Sequence, residues 1–192
     1  MKKHIQYSLC LSLLPIFMSF ANEQDSKQKT SGASSYQQEA KIKINTFATQ
    51  LKGQLQQAIK AGGLISAIDI CKVQAPLIAN ALSTDSWQVA RTSLKVRNHN
   101  NVADVWEKNT LDEFTIRKED GQTFKQLKQE QLSLDSYRFM QAIPTGEVCL
   151  ACHGKNIDEN VQKHIKKQYP KDQATGFSKG DIRGAFTLSK AL

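Results

Sequence analysis

The motif that most constrains this chain is Cys149-Leu-Ala-Cys152-His153, near the C-terminal end of a 192-residue sequence. Two cysteines at this spacing can form thioether bonds with the two vinyl groups of a haem, and the histidine that follows can bind the haem iron. The motif therefore predicts one covalent haem c (iron), held by Cys149 and Cys152, with His153 as a ligand to the metal.

Two other uses of the motif remain open on the residues alone. A structural zinc site needs four ligands, and the further candidates downstream of the N-terminal region are only Cys71, His99 and His164. A redox-active pair of thiols would need the two cysteines but not the histidine beside them. The covalent haem accounts for all three residues of the motif.

Residues 1–21 have the pattern of a secretory signal peptide. A short basic start precedes an apolar run over residues 5–17, and Ser19-Phe20-Ala21 has the small-x-small pattern of a cleavage site. An uncut membrane anchor is the alternative, although the run is short for a span and contains Pro15. We therefore expect export to the periplasm, where haem can be attached to the motif, and no transmembrane segment after cleavage.

The formal net charge is +8, from 26 basic and 18 acidic residues. An exported chain without an arginine-rich tract is not expected to bind nucleic acid, so the charge suits haem propionates or an acidic redox or signalling protein better. Residues 22–35 are rich in Ser, Gln and Lys and have no hydrophobic period, which predicts a disordered linker. Residues 36–192 are long enough for one domain with a core.

Helical patterns come before strand patterns in this domain. An amphipathic helix is expected to end at Gly62-Gly63, and a second apolar stripe follows over residues 64–82. Pro76 lies within that stripe and is expected to kink or divide the helix, because it lacks an N–H and collides with the preceding turn.

Residues 87–98 alternate with a period of two, which predicts a strand whose apolar side carries Ala90, Thr92, Leu94 and Val96. The remaining pattern predicts a turn at 98–101, a helix at 103–114, a strand at 136–143, a short helix after His153 and a closing strand at 183–189. Helices followed by antiparallel strands indicate the α+β class.

The second axial ligand of the iron is open among Cys71, Met140, His99 and His164, or no residue at all. Met140 fits a core strand, His99 lies in a polar turn, and His164 follows the motif too closely to reach the opposite face of the ring easily. Cys71 falls on a buried helix face and has no partner for a disulfide in an exported chain. Chemistry alone favours Cys71 without excluding the others.

Four segments together resemble one family: "AIDICKVQAPLIA" (67–79), "RTSLKVRN" (91–98), "IPTGEVCLACHG" (143–154) and "YPKDQATGFSKGDIRGAF" (169–186). The family is that of the c-type haem-binding, PAS-like periplasmic domains, which are often the sensing part of a kinase or cyclase. The resemblance implies a PAS-like antiparallel sheet flanked by helices, with N-terminal helices preceding the sheet. It also implies a His/Cys axial pair, with His153 and Cys71 at the ligand positions.

The motif and the resemblance together predict a periplasmic c-type haem protein for redox sensing or electron transfer, not an enzyme. Arg91, Lys95 and Arg97 form a basic row that could bind the haem propionates. Arg183 could also bind a propionate, and Asp181 is the carboxylate expected to pair with it. The alternative function is a peroxidase-like or gas-binding haem protein with an open or labile distal site.

Overall fold

A computed structural model describes the backbone of residues 21–192 and the side chains of residues 32–192. Helix α1 (Ala21–Leu82) precedes a four-stranded sheet. The strands are β1 (Trp87–Thr92), β2 (Lys128–Leu132), β3 (Ser136–Pro144) and β4 (Ile182–Ala191). Their order is β1-β4-β3-β2, and each neighbouring pair is antiparallel.

The remaining helices lie between the strands. They are α2 (Val105–Glu119), α3 (Leu150–His153) and α4 (Glu159–Gln168), with short 3-10 turns at His99–Asn101 and Glu147–Cys149. A helical N-terminal region followed by an antiparallel sheet with flanking helices confirms the predicted α+β class. The expected signal peptide falls almost wholly outside the described residues and stays a prediction.

Helix α1 is a hairpin of two helical arms. Gly62 (φ −152°, ψ 22°) and Gly63 (φ 68°, ψ −163°) leave the helical range and interrupt the helix, as the sequence predicted. The first arm (21–61) and the return arm (64–82) are antiparallel, since Lys43 Nζ on the first donates to the Leu82 carbonyl on the second at 2.9 Å. The chain therefore reverses direction at the two glycines.

Pro76 does not divide the return arm, contrary to one of the two outcomes expected for it, because α1 leaves helical φ/ψ values at Gly62 and Gly63. Ala75 and Ile78 on either side of the proline are buried, and their packing holds the arm in place despite the missing hydrogen bond. Residues 22–35, expected to form a disordered linker, lie within the span of α1, and the domain boundary at residue 36 stays a prediction.

Alternate side chains of β3 enter two different cores, one on each face of the sheet. Tyr137 and Phe139 join the core under the hairpin, which includes Phe47 of the first arm. Met140 points the other way and packs with Phe114 of α2. Helices therefore cover both faces of the sheet.

The strand predicted at residues 87–98 ends at Thr92, and its buried side is not the predicted one. Trp87 and Val89 are buried under the hairpin, whereas Ala90 is exposed. The inner side also carries the half-buried Arg91, whose charge indicated a solvent-facing side in the sequence, whereas the outer side carries the small apolar Ala90. After Thr92 the chain leaves the sheet and crosses towards the CxxCH turn as a loop (93–98).

One stretch of α1, within Gly32–Leu82, is long and apolar enough by length and composition to cross a membrane, with a mean hydropathy of 1.3. The same part of the helix supplies Ala67, Ile68, Ala75 and Ile78 to the domain core. A core helix passes this test as readily as a membrane span does, so the expectation of no span stays a prediction.

Replacement of Gly63 by alanine should destabilise the hairpin by about 1–3 kcal/mol, because its backbone lies in a region that is open almost only to glycine. Gly53→Ala is the matched control, since Gly53 lies inside the first arm with nothing within 4 Å of an added Cβ. That change should stabilise the protein by about 0.5–1 kcal/mol through helix propensity. Urea denaturation measures both; equal effects at the two positions would contradict the assigned reversal.

Candidate functional site

The CxxCH motif lies on the turn between β3 and α4. A 3-10 turn covers Glu147–Cys149, and α3 consists of Leu150–His153. Thr145 anchors the start of this turn, since its N–H donates to the Asp181 carbonyl at 2.8 Å and its carbonyl accepts from the Gly180 N–H at 2.8 Å. The motif is thereby attached to the segment that leads into β4.

His153 is fixed in one tautomer. Its Nδ1 lies 2.7 Å from the Ala174 carbonyl oxygen, and because a carbonyl only accepts, Nδ1 carries the hydrogen and Nε2 keeps a lone pair. Burial lowers the pKa of His153 well below its usual range, and the guanidinium groups of Arg183 and Arg97 act in the same direction. A neutral imidazole with a free Nε2 is the form that binds a metal.

Arg97 binds several protein groups next to the motif. Its Nε and Nη2 donate to the two carboxylate oxygens of Asp172 at 3.0 and 3.1 Å, and both side chains of this ion pair are largely buried. Nη2 also donates to the Cys152 carbonyl at 2.7 Å and to the Ala174 carbonyl at 3.3 Å. Arg97, expected to bind a propionate, is therefore engaged by the protein itself.

Cys71 reaches the motif from the return arm of the hairpin. Ile68, on the same side of that arm, packs in one cluster with Cys152. Burial raises the pKa of the Cys71 thiol, whereas the neighbouring guanidinium groups of Arg91 and Arg97 lower it. Burial likewise raises the pKa of Cys152, and the charge of an ionised Cys71 acts in the same direction.

The other two members of the predicted basic row differ in their surroundings. Arg91 is half-buried on the inner side of β1, where its guanidinium lies 5.3 Å from the ring centroid of Phe47. Lys95 is exposed on the loop after β1, with its ammonium 5.5 Å from the ring centroid of Phe177. The row does not continue along one strand, because the sheet ends before Lys95.

Arg183 lies beside His153 and is only partly satisfied. Its Nη1 donates to Ser93 Oγ at 3.3 Å and to the Lys95 carbonyl at 3.2 Å, while its buried Nε has no partner among the described residues. Burial lowers its pKa to about 10. The expected pairing with Asp181 is wrong, because that carboxylate accepts from the N–H of Ser178 at 2.7 Å and caps the local turn instead.

The other candidates for the second axial ligand lie elsewhere. Met140 is fully buried in the core under α2. His99 is exposed on a 3-10 turn. His164 Nε2 lies 2.6 Å from Asp69 Oδ1, a contact that joins α4 to the return arm. Of the four side chains considered, Cys71 is the one on the arm whose Ile68 packs with Cys152, and it contributes to the raised pKa of that thiol.

Several residues at the site were not assigned a role from the sequence. Asp172 and Ala174 lie in a loop between α4 and β4 and supply the acceptors for Arg97 and His153. Tyr169 interacts with Cys71, and Phe177 stands edge-on to the His153 ring with centroids 6.4 Å apart. The segment that carries them was noticed through the family resemblance, but no spacing rule predicts which carbonyl accepts from a histidine.

The residues gathered at this site suit a haem better than a bare metal ion. In the part of the chain that the structure describes, no three His, Cys, Asp or Glu side chains gather as a metal site, so the zinc alternative gains no support. Haem iron needs only two protein ligands, one on each face of the ring. Cys149 and Cys152 are free thiols, as thioether bonds require. The unpartnered Nε of Arg183 could donate to an acidic group such as a propionate.

Gly154 directly after the motif should not tolerate a side chain. A Cβ there would lie 2.5 Å from the Leu150 carbonyl oxygen, so Gly154→Ala must open the α3 turn that carries His153. We expect a loss of about 1–3 kcal/mol of stability in thermal or urea unfolding. Gly146→Ala is the control, because its Cβ would meet only Cys149 Sγ at 3.8 Å. A neutral Gly154→Ala would contradict the close packing of this turn.

The chain was compared with known proteins. A family model described as Tll0287-like matches residues 22–190. The crystal structure of the cyanobacterial haem protein Tll0287 is 25% identical in sequence and superposes with a TM-score of 0.57, covering 78% of this chain and 92% of that one. No curated protein matches the chain. The long match and the shared fold confirm the family that the four sequence segments resemble.

Proposed function

The chain belongs to the Tll0287-like family, and we propose that it is a periplasmic c-type haem protein that acts in redox sensing or electron transfer. Cys149 and Cys152 form the two thioether bonds to a single haem, and His153 and Cys71 bind the iron from its two sides. The family match and the haem-protein neighbour support the haem. The CxxCH sequence is the ground for covalent attachment.

The observation that carries the proposal is the state of His153. Its Nδ1–H is held by the Ala174 carbonyl, its ring is neutral, and its Nε2 is available. A dithiol pair has no need of a histidine prepared in this way directly after the second cysteine. A zinc site could use such a histidine but needs four ligands, and no three His, Cys, Asp or Glu side chains gather as a metal site among the described residues. A haem that is bonded through Cys149 and Cys152 does need it, because the histidine is then delivered to the iron.

The place of Cys71 on the return arm, whose Ile68 packs with Cys152, supports its role as the second ligand. When bound, the haem supplies an iron that takes up and releases one electron. The protein's part is to hold the imidazole neutral and to present the Cys71 thiol, whose pKa burial raises and the guanidinium groups of Arg91 and Arg97 lower. A thiolate donates electron density and favours the ferric state, so we expect a low reduction potential.

The hairpin gives the two proposed roles a common structural basis. An electron carrier keeps both ligands in both oxidation states, whereas a redox sensor releases Cys71 on reduction and lets the return arm move. The sequence placed such a movable element around Pro76. The interruption at Gly62 and Gly63 is a better hinge, because it lies at the base of the whole arm that carries Cys71.

The sequence is the ground for the proposed compartment and for the proposed kind of partner protein. The leader over residues 1–21 supports export to the periplasm. Loss of Lys2 and Lys3 with the leader leaves 24 basic and 18 acidic residues, a net charge of +6, which suits an acidic redox or signalling protein as the partner. We assign no catalytic residues: His99, the one acid–base candidate from the sequence, is exposed on a 3-10 turn.

The first test is the intact mass of the protein purified from the periplasm of a host that attaches haem c. We expect a chain that begins at Asn22 with one haem, which remains bound after denaturation. Replacement of Cys149 and Cys152 by alanine should abolish the covalent bond while leaving the leader cleavage unchanged. A wild-type chain without haem, or with zinc in its place, would contradict the proposal.

The second test is Cys71→Ser, examined by ferric and ferrous absorption spectra with and without CO. If Cys71 binds the iron, the variant should become high-spin or take up water, bind CO faster and show a raised reduction potential. Covalent attachment should persist.

Ala75→Ser is the matched control for Cys71→Ser, because it buries a hydroxyl one turn further along the same arm. It should cost about 1 kcal/mol of stability and leave the spectrum unchanged. An unaltered low-spin spectrum in Cys71→Ser would exclude the His/Cys pair.

A further inference from the structure

One carbonyl oxygen at the site accepts two hydrogen bonds from groups of different charge. The Ala174 oxygen accepts from His153 Nδ1 at 2.7 Å and from Arg97 Nη2 at 3.3 Å. The same Nη2 also donates to the Cys152 carbonyl and to Asp172, which is itself paired with Arg97 Nε. The ion pair of Arg97 and Asp172 is thus directly connected to the hydrogen bond that orients His153.

The position of the Ala174 carbonyl does not depend on Arg97 alone. Backbone hydrogen bonds hold the same loop on both sides: Gly176 N–H donates to the Gly154 carbonyl at 2.9 Å, and Phe177 N–H donates to the His153 carbonyl at 3.0 Å. On the other side, Gln173 N–H donates to the Val96 carbonyl at 2.8 Å. Replacement of Arg97 should therefore leave this loop in place and alter how strongly the Ala174 carbonyl accepts a hydrogen bond.

A carbonyl that accepts from a cation has less electron density to offer to a second donor. The stronger the bond from Arg97, the weaker the bond to the His153 Nδ1–H, and the less electron density the imidazole can donate through Nε2. Asp172 opposes this effect, because it binds the same guanidinium and partly neutralises its charge. The two side chains therefore act on His153 in opposite directions.

We propose that Arg97 and Asp172 are positioning residues that set how strongly His153 donates to the metal, and thereby tune the reduction potential of the protein. This inference rests on the proposed function, since it requires a metal on Nε2. It assigns Arg97 a role different from the propionate binding expected from the sequence, because its hydrogen bonds are made to the protein.

Arg97→Lys and Asp172→Asn should shift the potential in opposite directions. Lysine keeps the charge but cannot reproduce the forked contact, so the Ala174 carbonyl binds the His153 Nδ1–H more strongly and the potential falls. Asparagine at position 172 can still accept from the Ala174 N–H, as Asp172 Oδ1 does at 3.0 Å. It carries no charge to attract the Arg97 guanidinium, so the guanidinium binds the Cys152 and Ala174 carbonyls more strongly. In that variant the potential should rise.

The matched control is Arg117→Lys in α2. Arg117 also binds a carboxylate, that of Glu113 at 3.2 Å, and the backbone carbonyls of Gln126 at 2.7 Å and Lys128 at 3.3 Å. It packs over Phe114, on the opposite side of the sheet from the hairpin. Its replacement should lower stability without shifting the potential.

The experiment is a redox titration and ferric EPR spectroscopy of the full-length holoprotein, with haem content measured by intact mass. The double variant Arg97→Lys/Asp172→Asn completes a thermodynamic cycle. If Asp172 acts through the guanidinium, its replacement should raise the potential less in the Arg97→Lys background than in the wild type. An effect of equal size in both backgrounds would show that Asp172 acts only through its charge, and would overturn the proposal.

The proposal would also be overturned if Arg97→Lys raised the reduction potential, or shifted it no more than Arg117→Lys does. If Arg97→Lys does not accumulate, Asp172→Asn decides by itself, since an unchanged or lowered potential there contradicts the assigned direction. Failure of the proposed function would be distinguishable from failure of this inference, because the intact mass of the wild-type protein would then show no bound haem.

Discussion

The reversal of α1 at Gly62 and Gly63 is the constraint on which the site depends. Without it, Cys71 would continue along a single helix away from the sheet. The return arm is held at one end by the hydrogen bond from Lys43 to the Leu82 carbonyl, and near Cys71 by the contact between Asp69 and His164. The arm is therefore clamped between the first arm and α4, with Cys71 beside the CxxCH turn.

The electrostatics of the site follow from that arrangement. Guanidinium groups of Arg91, Arg97 and Arg183 surround a histidine that burial already keeps neutral. Of the three, Arg97 alone has a carboxylate within ion-pair distance among the described residues. The remaining positive charge favours anionic groups in the same place, and a thiolate and haem propionates are the anions that a His/Cys-ligated haem would bring. The positive charge of the three guanidinium groups is therefore consistent with the haem that is proposed for this site.

Much of the architecture could be predicted, and the failures have physical causes. The break at Gly62-Gly63, the α+β class and the family followed from local patterns that the structure and the comparisons confirm. The inner face of β1 was predicted wrongly, because the charged Arg91 lies on the buried side and the apolar Ala90 is exposed. Pro76 was expected to kink or divide a helix that continues through it, and Asp181 was paired with Arg183 although it caps its own turn.

The sequence by itself determined the chemistry that is available: a CxxCH motif, the pattern of a signal peptide, and Cys71 on an apolar helical stripe. These are local features, and spacing along the chain is enough to recognise them. Only the tertiary structure decided which groups meet. That His153 is held by the Ala174 carbonyl, and that Arg97 binds the same oxygen, depends on a loop that returns between α4 and β4. Contacts between such distant segments are selected by the packing of the whole domain, which no local pattern encodes.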